Sequence, residues 1–261
     1  MSTAALIHPT AIVNPAARLD AGVAVEPFAI IDADVEIGAG SIIGAHTRIA
    51  DGARLGREVK VYHGAVVGTI PQDLKFGGEK TLLHVGDRTV IRECATLNRG
   101  TLARGETRVG ADCLLMAYTH VAHDCLLGDR VILANAVQLG GHVTIGEWAI
   151  LGGAVVVHQF SLIGDHVMVG GGFRVTQDVP PYAIVGGYPC RVISVNKIGL
   201  VRRGFSEEQV TELSRAFRIL FRSKLNHTQA LQRLHDEKLD SPEVRHVLEF
   251  IASSERGVMR A

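Results

Sequence analysis

Aromatic residues are scarce in this chain: Phe, Tyr and Trp make up 5% of its 261 residues, and there is one Trp. Layered globular cores draw heavily on large aromatic side chains, so the scarcity points to a narrow interior filled by small aliphatic ones. No apolar run reaches the roughly 18 residues that cross a bilayer. The opening Met1-Ser2-Thr3-Ala4-Ala5 carries neither the basic segment nor the apolar stretch of a secretion signal. Net charge is missing too, with 27 basic against 27 acidic residues, which argues against a nucleic-acid-binding surface. The expectation is a soluble, cytoplasmic chain. Cysteine is sparse: there are 4, none in CxxC spacing, so they read as reduced, structural thiols.

What is present in excess is a period of six. Every sixth residue from Ile7 to Val175 is Ile, Leu or Val, except Asp73, Glu79 and Ala103. A short period with an aliphatic anchor is the mark of stacked β-helix coils. The fifth position of each hexad is small or β-branched, as in Ala11, Val23, Ala29, Ser41, Thr47, Cys113, Thr119, Cys125 and Val131. It stands two residues before the next anchor, so both point inward from a strand while the sixth position points out. Positions two to four carry Gly, Asp, Asn and His, which tolerate turns. Three such sides close a triangular coil of about 18 residues, and nine to ten coils at ~4.8 Å each give a prism on the order of 45 Å long. The misses fall in two polar stretches, 68–84 and 99–108, which read as loops that rejoin the repeat in phase.

The repeat ends near residue 190. Beyond it, Ser206-Glu207-Glu208-Gln209 is a capping box followed by Val210, Leu213, Phe217, Leu220 and Phe221 at helical spacing. A second helix is expected over Gln229 to Lys238 and a third from Ser241-Pro242. Residues 1–190 thus form the repeat domain and 191–261 a helical domain that covers its last coil. Arg191, Lys197, Arg202, Arg203, Arg215, Arg218, Arg222 and Lys224 outnumber Glu207, Glu208 and Glu212 there. That surplus suits an anionic partner, phosphate or acidic protein, or else a solvated helix face.

Stacking the hexads brings chemistry together. Ala122, Gly140 and His158 fall in one column, His123, Gly141 and Gln159 in the next, and Asp124, His142 and Phe160 in a third, all at corners of one edge. His120 is an outward residue of the strand leading into it. A His beside an Asp suits a general base whose carboxylate fixes its tautomer, and glycine exposes backbone N–H groups to a developing oxyanion. With no Ser or Cys placed as nucleophile, direct acyl transfer to a hydroxyl or amine is favoured over a covalent intermediate.

The hexads resemble those of the hexapeptide-repeat acyltransferases, which implies a left-handed parallel β-helix, usually a homotrimer; the usual crossover rule would give the opposite hand. The segments His120-Val121-Ala122-His123-Asp124-Cys125, Gly140-Gly141-His142, Val157-His158-Gln159-Phe160, Gln177-Asp178-Val179-Pro180-Pro181-Tyr182 and Arg202-Arg203-Gly204-Phe205-Ser206, with Pro71-Gln72-Asp73-Leu74-Lys75, are similar to the UDP-N-acetylglucosamine O-acyltransferase family that opens lipid A synthesis. The resemblance implies that an (R)-3-hydroxyacyl group passes from acyl carrier protein, on its 4'-phosphopantetheine arm, to the glucosamine 3-hydroxyl of UDP-N-acetylglucosamine, with no metal or other cofactor. It implies His123 as general base, Asp124 as its orienting partner and the Gly141 N–H on the thioester oxygen. His120, His142, His158 and Gln159 would line the cleft; Gln72, Asp73 and Lys75 would reach in from an adjacent subunit. Asn196, Arg202 and Arg203 would meet the nucleotide phosphates, and Gly171 would sit at the acyl-length ruler. The chain departs from that pattern at Asn98, where a His can occur, at Ile198, where some relatives carry Glu, and at Phe173, a bulky inward position.

Four other readings compete. A sister N-acyltransferase would normally add an N-terminal uridine-binding domain, and acetyl-CoA-dependent hexapeptide enzymes share the repeat. A hydration enzyme of the γ-carbonic-anhydrase kind needs three imidazoles aimed at one metal. A non-catalytic scaffold would make the His-Asp-Gly edge dispensable.

Overall fold

In a computed structural model, which describes residues 4–261 other than residue 224, the six-residue period becomes short parallel strands on three faces. Lys224 and Met1-Ser2-Thr3 lie outside the described residues. The first face begins at Leu6–Ile7 and has 11 strands, the second at Ile12–Val13 with 9, and the third at Arg18–Leu19 with 8. Each strand pairs with the one a full coil below and above: Ala24 meets Leu6 on one side and Ile42 on the other.

Most strands are two residues long, and the second residue, the hexad anchor, is the buried one. Ile31, Ile43, Ile49, Leu97, Leu133 and Leu151 are all sealed in the prism. The fifth positions fill the corners of the triangle. Some of these carry hydroxyls that donate to corner carbonyls: Ser41 Oγ to Gly56 O at 3.0 Å and Thr47 Oγ1 to Gly44 O at 2.8 Å. Cys113 and Cys125 occupy the same position, with Sγ near the carbonyls of Gly128 and Gly140. Burial pushes their thiols up to about 11 and about 12, so neither supplies a thiolate near neutral pH. The anchor pattern weakens only at the start, where Ile7 is half exposed because no coil lies beneath it.

Both insertions leave the prism at one edge, the second-to-third edge. Residues 70–81 join Val66–Thr69 of the second face to Leu82–Val85 of the third, and residues 99–105 join Thr96–Asn98 to Glu106–Val109. Register then jumps, so that Lys60 pairs with Val90 and Thr96 with His120, and the coils above resume in phase.

The last coil passes through Ala183–Gly186 into an antiparallel strand, Arg191–Val195, that ends the first face. Helices α1 (Lys197–Arg202), α2 (Glu207–Arg222), α3 (His227–Asp236) and α4 (Pro242–Ser253) follow. The Ser206/Gln209 capping box and the Ser241 cap form as expected. The second expected helix instead begins at His227, because Asn226 and Gln229 make a capping box of their own. Helix α1, too short to show a period, was not expected. After α4 the chain returns to the prism: Asp178 bridges to Val258, and Ser254 Oγ donates to Asp178 Oδ2 at 2.6 Å.

Candidate active site

The second-to-third edge above the insertions carries the corners 122–124, 140–142 and 158–160. At each, the last residue adopts the left-handed backbone region: Asp124 at φ 59°, His142 at 63° and Phe160 at 63°. Non-glycine residues rarely settle there, but the stacked coils repeat the conformation and so align the three side chains. The His142 and Phe160 rings stack at 4.4 Å with planes 9° apart, and His123 meets His142 edge-on at 5.2 Å.

Asp124 is fully buried, and its Oδ2 lies 2.8 Å from His123 Nδ1 and 3.6 Å from His142 Nε2. Burial is the largest influence on its carboxyl and acts to raise it, but hydrogen bonds from His123 and Thr101 together outweigh burial and hold it below the usual carboxylate range. An ionised carboxylate only accepts, so His123 Nδ1 donates and Nε2 is left with its lone pair, the tautomer a base requires. The ring rests against Gly141. A Cβ built on Gly141 would stand 2.6 Å from His123 Cε1 and 2.8 Å from Nε2, so only glycine permits this approach.

The Gly141 N–H has no hydrogen-bond acceptor among the described residues. At two equivalent corners of another edge a carboxylate captures this N–H, Ala111 by Asp129 and Glu147 by Asp165. Here the donor is free beside the His123 imidazole, where an oxyanion could be held.

The other expected histidines converge on the same edge. His120 Nδ1 is 2.7 Å from Thr96 Oγ1, and burial, with the nearby His123, lowers its pKa. Burial likewise lowers His142, with opposing pulls that include Asp124 and Asp73. Both rings are therefore neutral near neutral pH. Asp73, expected to act on an adjacent subunit, already bears on His142 within one chain. Gln72 and Lys75 are exposed on the same loop, whose tip, Leu74, is fully exposed. Gln159 is exposed, and its carbonyl lies 2.9 Å from His158 Nδ1.

The remaining expected residues stand on other edges. Asn196 and Arg203 lie at the third-to-first edge. Asn196 caps α1 through Oδ1 and donates Nδ2 to His166 O at 2.9 Å, so its amide is engaged within the chain. The Arg203 guanidinium packs on Trp148 and lies 3.2 Å from His166 Nδ1, while Arg202 is exposed beside it. Burial, then the Arg203 charge, holds His166 down to about 4. Gly171 is an exposed corner of the first-to-second edge. Phe173 does not fill the prism as its inward position suggested; its ring lies over Gly170 and Gly186, where any Cβ would touch it. Asn98 donates Nδ2 to Thr69 Oγ1 and to Ile70 O, both at 3.0 Å, and so anchors the first insertion. Ile198 is exposed on α1.

Sequence reasoning missed Thr101, Arg256 and the further lining residues Arg104, Thr144 and Leu162. Thr101 donates to Asp124 through both its backbone and its hydroxyl. Arg256, from the returning C-terminal segment, places Nη2 2.8 Å from His158 Nδ1. Arg104, His142, Thr144, Phe160, Leu162 and Arg256 line a cleft of about 610 Å³ beside the His123 corner. His123, Asp124 and His142 also bring ligand atoms within 4.8 Å of one another, a spacing open to a metal ion, but a hydration site of the expected kind needs a third imidazole.

A family described as UDP N-acetylglucosamine O-acyltransferase, domain 2, matches residues 178–259. The acyl-[acyl-carrier-protein]–UDP-N-acetylglucosamine O-acyltransferase of Myxococcus xanthus is 48% identical over 98% of this chain and 100% of its own length. The chain belongs to this O-acyltransferase family. The Chlorobaculum tepidum member is 58% identical over 72% of each chain. Among solved members, the UDP-N-acetylglucosamine acyltransferase of Bacteroides fragilis superposes with a TM-score of 0.94 at 43% identity, covering 98% of this chain and 100% of that one. The Acinetobacter baumannii member superposes at 0.93 and 38% identity, with 98% and 100% coverage. The family's left-handed parallel β-helix with a small helical domain is the fold of this chain.

Proposed function

We propose that the chain transfers an (R)-3-hydroxyacyl group from acyl carrier protein to the 3-hydroxyl of the glucosamine ring of UDP-N-acetylglucosamine, the first step of lipid A synthesis, with His123 as general base. The observation that carries the base assignment is the 2.8 Å contact between His123 Nδ1 and the buried Asp124. His123 Nε2 takes the hydroxyl proton as the oxygen attacks the thioester carbonyl. The Gly141 N–H receives the oxyanion. As the intermediate collapses, the C–S bond breaks and the imidazolium returns the proton to the departing pantetheine sulfur. No step needs a metal. His120, His142, His158 and Gln159 shape the cleft for donor and sugar.

The test is mass spectrometry of products formed from mixed 3-hydroxyacyl carrier proteins and UDP-N-acetylglucosamine by chelator-treated protein. A product heavier by one 3-hydroxyacyl group is expected. Loss of turnover on chelation, restored by a divalent metal, would overturn the metal-free mechanism.

We infer a homotrimer as well. The nucleotide-contact residues and the catalytic corner occupy different edges of one prism, so a single site needs a neighbour's edge. The outward residues Leu114, Ile132, Ile150 and Met168 form a partly buried apolar ladder up the first face, and Leu74 stands bare at its loop tip. Both suit burial against another copy. Light scattering should return three times the 28.0 kDa chain mass; an active monomer would exclude this assembly.

A further inference from the structure

The insertion 99–105 leaves the catalytic edge below His123 and reaches Asp124 through Thr101. Thr101, 8% exposed, donates its backbone N–H to Asp124 Oδ1 at 2.9 Å and its hydroxyl to Oδ2 at 2.7 Å. The hydroxyl oxygen accepts the Ala103 N–H at 3.2 Å, so both its donor and acceptor roles are taken. The loop around it is clamped. Gly105 N–H donates to Thr101 O at 2.7 Å and Gly100 N–H to Leu82 O at 3.1 Å. A Cβ on Gly100 would fall 2.5 Å from the Glu106 nitrogen, so the loop enters pressed on the strand it precedes. Asp124's own N–H donates to Thr107 Oγ1 at 2.8 Å, which fixes the backbone end of the same residue.

Two imidazoles face one carboxylate oxygen. Oδ2 lies 2.8 Å from His123 Nδ1 and 3.6 Å from His142 Nε2, and rotation of the carboxylate would exchange its partner. The two Thr101 donors hold one oxygen each and so oppose that rotation.

We propose that Thr101 is a positioning residue for acyl transfer: its paired donors lock the Asp124 carboxylate onto His123 rather than His142 and thereby aim the His123 base. The proposal rests on His123 being that base. Thr101 touches no reacting atom, so its loss acts on turnover and not on sugar binding.

The experiment compares steady-state kinetics of Thr101→Val, Thr101→Ser, Asp124→Asn, the Thr101→Val/Asp124→Asn pair and His123→Ala, with melting and oligomer size as controls. Removing a hydrogen bond to a charged group should lower kcat about tenfold to a hundredfold in Thr101→Val, with KM for UDP-N-acetylglucosamine unchanged. Thr101→Ser, which keeps the hydroxyl, should recover most of that loss. In the Asp124→Asn background, Thr101→Val should add less than about twofold, because the two changes remove one interaction.

Wild-type kcat in Thr101→Val, or an equal loss in both backgrounds, would overturn the proposal. Should the valine variant fail to fold, Thr101→Ser against Thr101→Ala decides it: equal turnover overturns the proposal, and a faster serine variant supports it. Full activity in His123→Ala would instead reject the base itself.

Discussion

Replacing His123 by alanine is expected to lower kcat by about 10² to 10⁴, the range for a positioned acid–base group, with folding and oligomer size intact. The imidazole packs beside Gly141, which has no side chain, and on the edge of His142, so its removal opens little of the prism interior. Its other partner, Asp124, keeps both Thr101 donors. The loss should therefore fall on turnover. Cys125→Ala, two residues along and in the sealed interior, should do far less, because its thiol is protonated and buried. Steady-state kinetics of the two variants, with melting curves, make the comparison; a cysteine variant as impaired as the histidine variant would contradict the mechanism.

The second large effect is expected from a single added methyl group. Gly141→Ala places a carbon where the His123 ring now stands, 2.6 Å from Cε1. The Gly141 backbone belongs to a coil corner bonded above and below, with the next residue, His142, donating to His123 O at 3.0 Å and Phe160 donating to Gly141 O at 3.0 Å. The backbone is held, so the ring must yield. A displacement near 1 Å at a reacting group costs about 10²-fold, and the same methyl group would crowd any oxyanion at the Gly141 N–H. Activity should fall about a hundredfold while stability changes little. The control is Gly153→Ala, at an exposed-edge corner whose nearest atom to an added Cβ is 3.4 Å away. Equal behaviour of the two variants would show that His123 does not depend on the missing side chain.

The prism was legible in the sequence because its period is strict. Each anchor from Ile31 to Val175 could be assigned inward from its place in the hexad, and the three corner columns around His123 followed from one stacking distance. What escaped the reading lies where the period breaks. Thr101 sits in an insertion, so no repeat locates it relative to Asp124. Arg256 reaches His158 only after the chain has crossed four helices, a separation that carries no local signal. Asn196 carries a phosphate contact by resemblance alone; its second task, capping α1 through the Gly199 N–H, belongs to a helix too short to show a period. Phe173 read as an inward residue because the hexad rule presumes a regular coil above it, and the glycines at 170 and 186 let the ring lie across the corner instead.

Both insertions and the His123 corner share one edge, and in a coil of three six-residue sides the edge a residue occupies depends on its place in the hexad count with the looped-out residues left aside, not on its distance from the site. Phase is therefore the coordinate that function uses. Removing one whole coil from the first few would shorten the rod and leave every catalytic corner facing as before. Removing a single hexad would turn everything above it by a third of a revolution relative to everything below. With that hexad taken from between the insertions and His123, loops that now overhang His123 would overhang a bare face, although each coil would remain as well packed as it was. The chain can vary in length in steps of a coil, and an insertion is tolerated where it leaves and rejoins the prism at one edge, as those between Val66 and Thr96 and between Thr96 and His120 do.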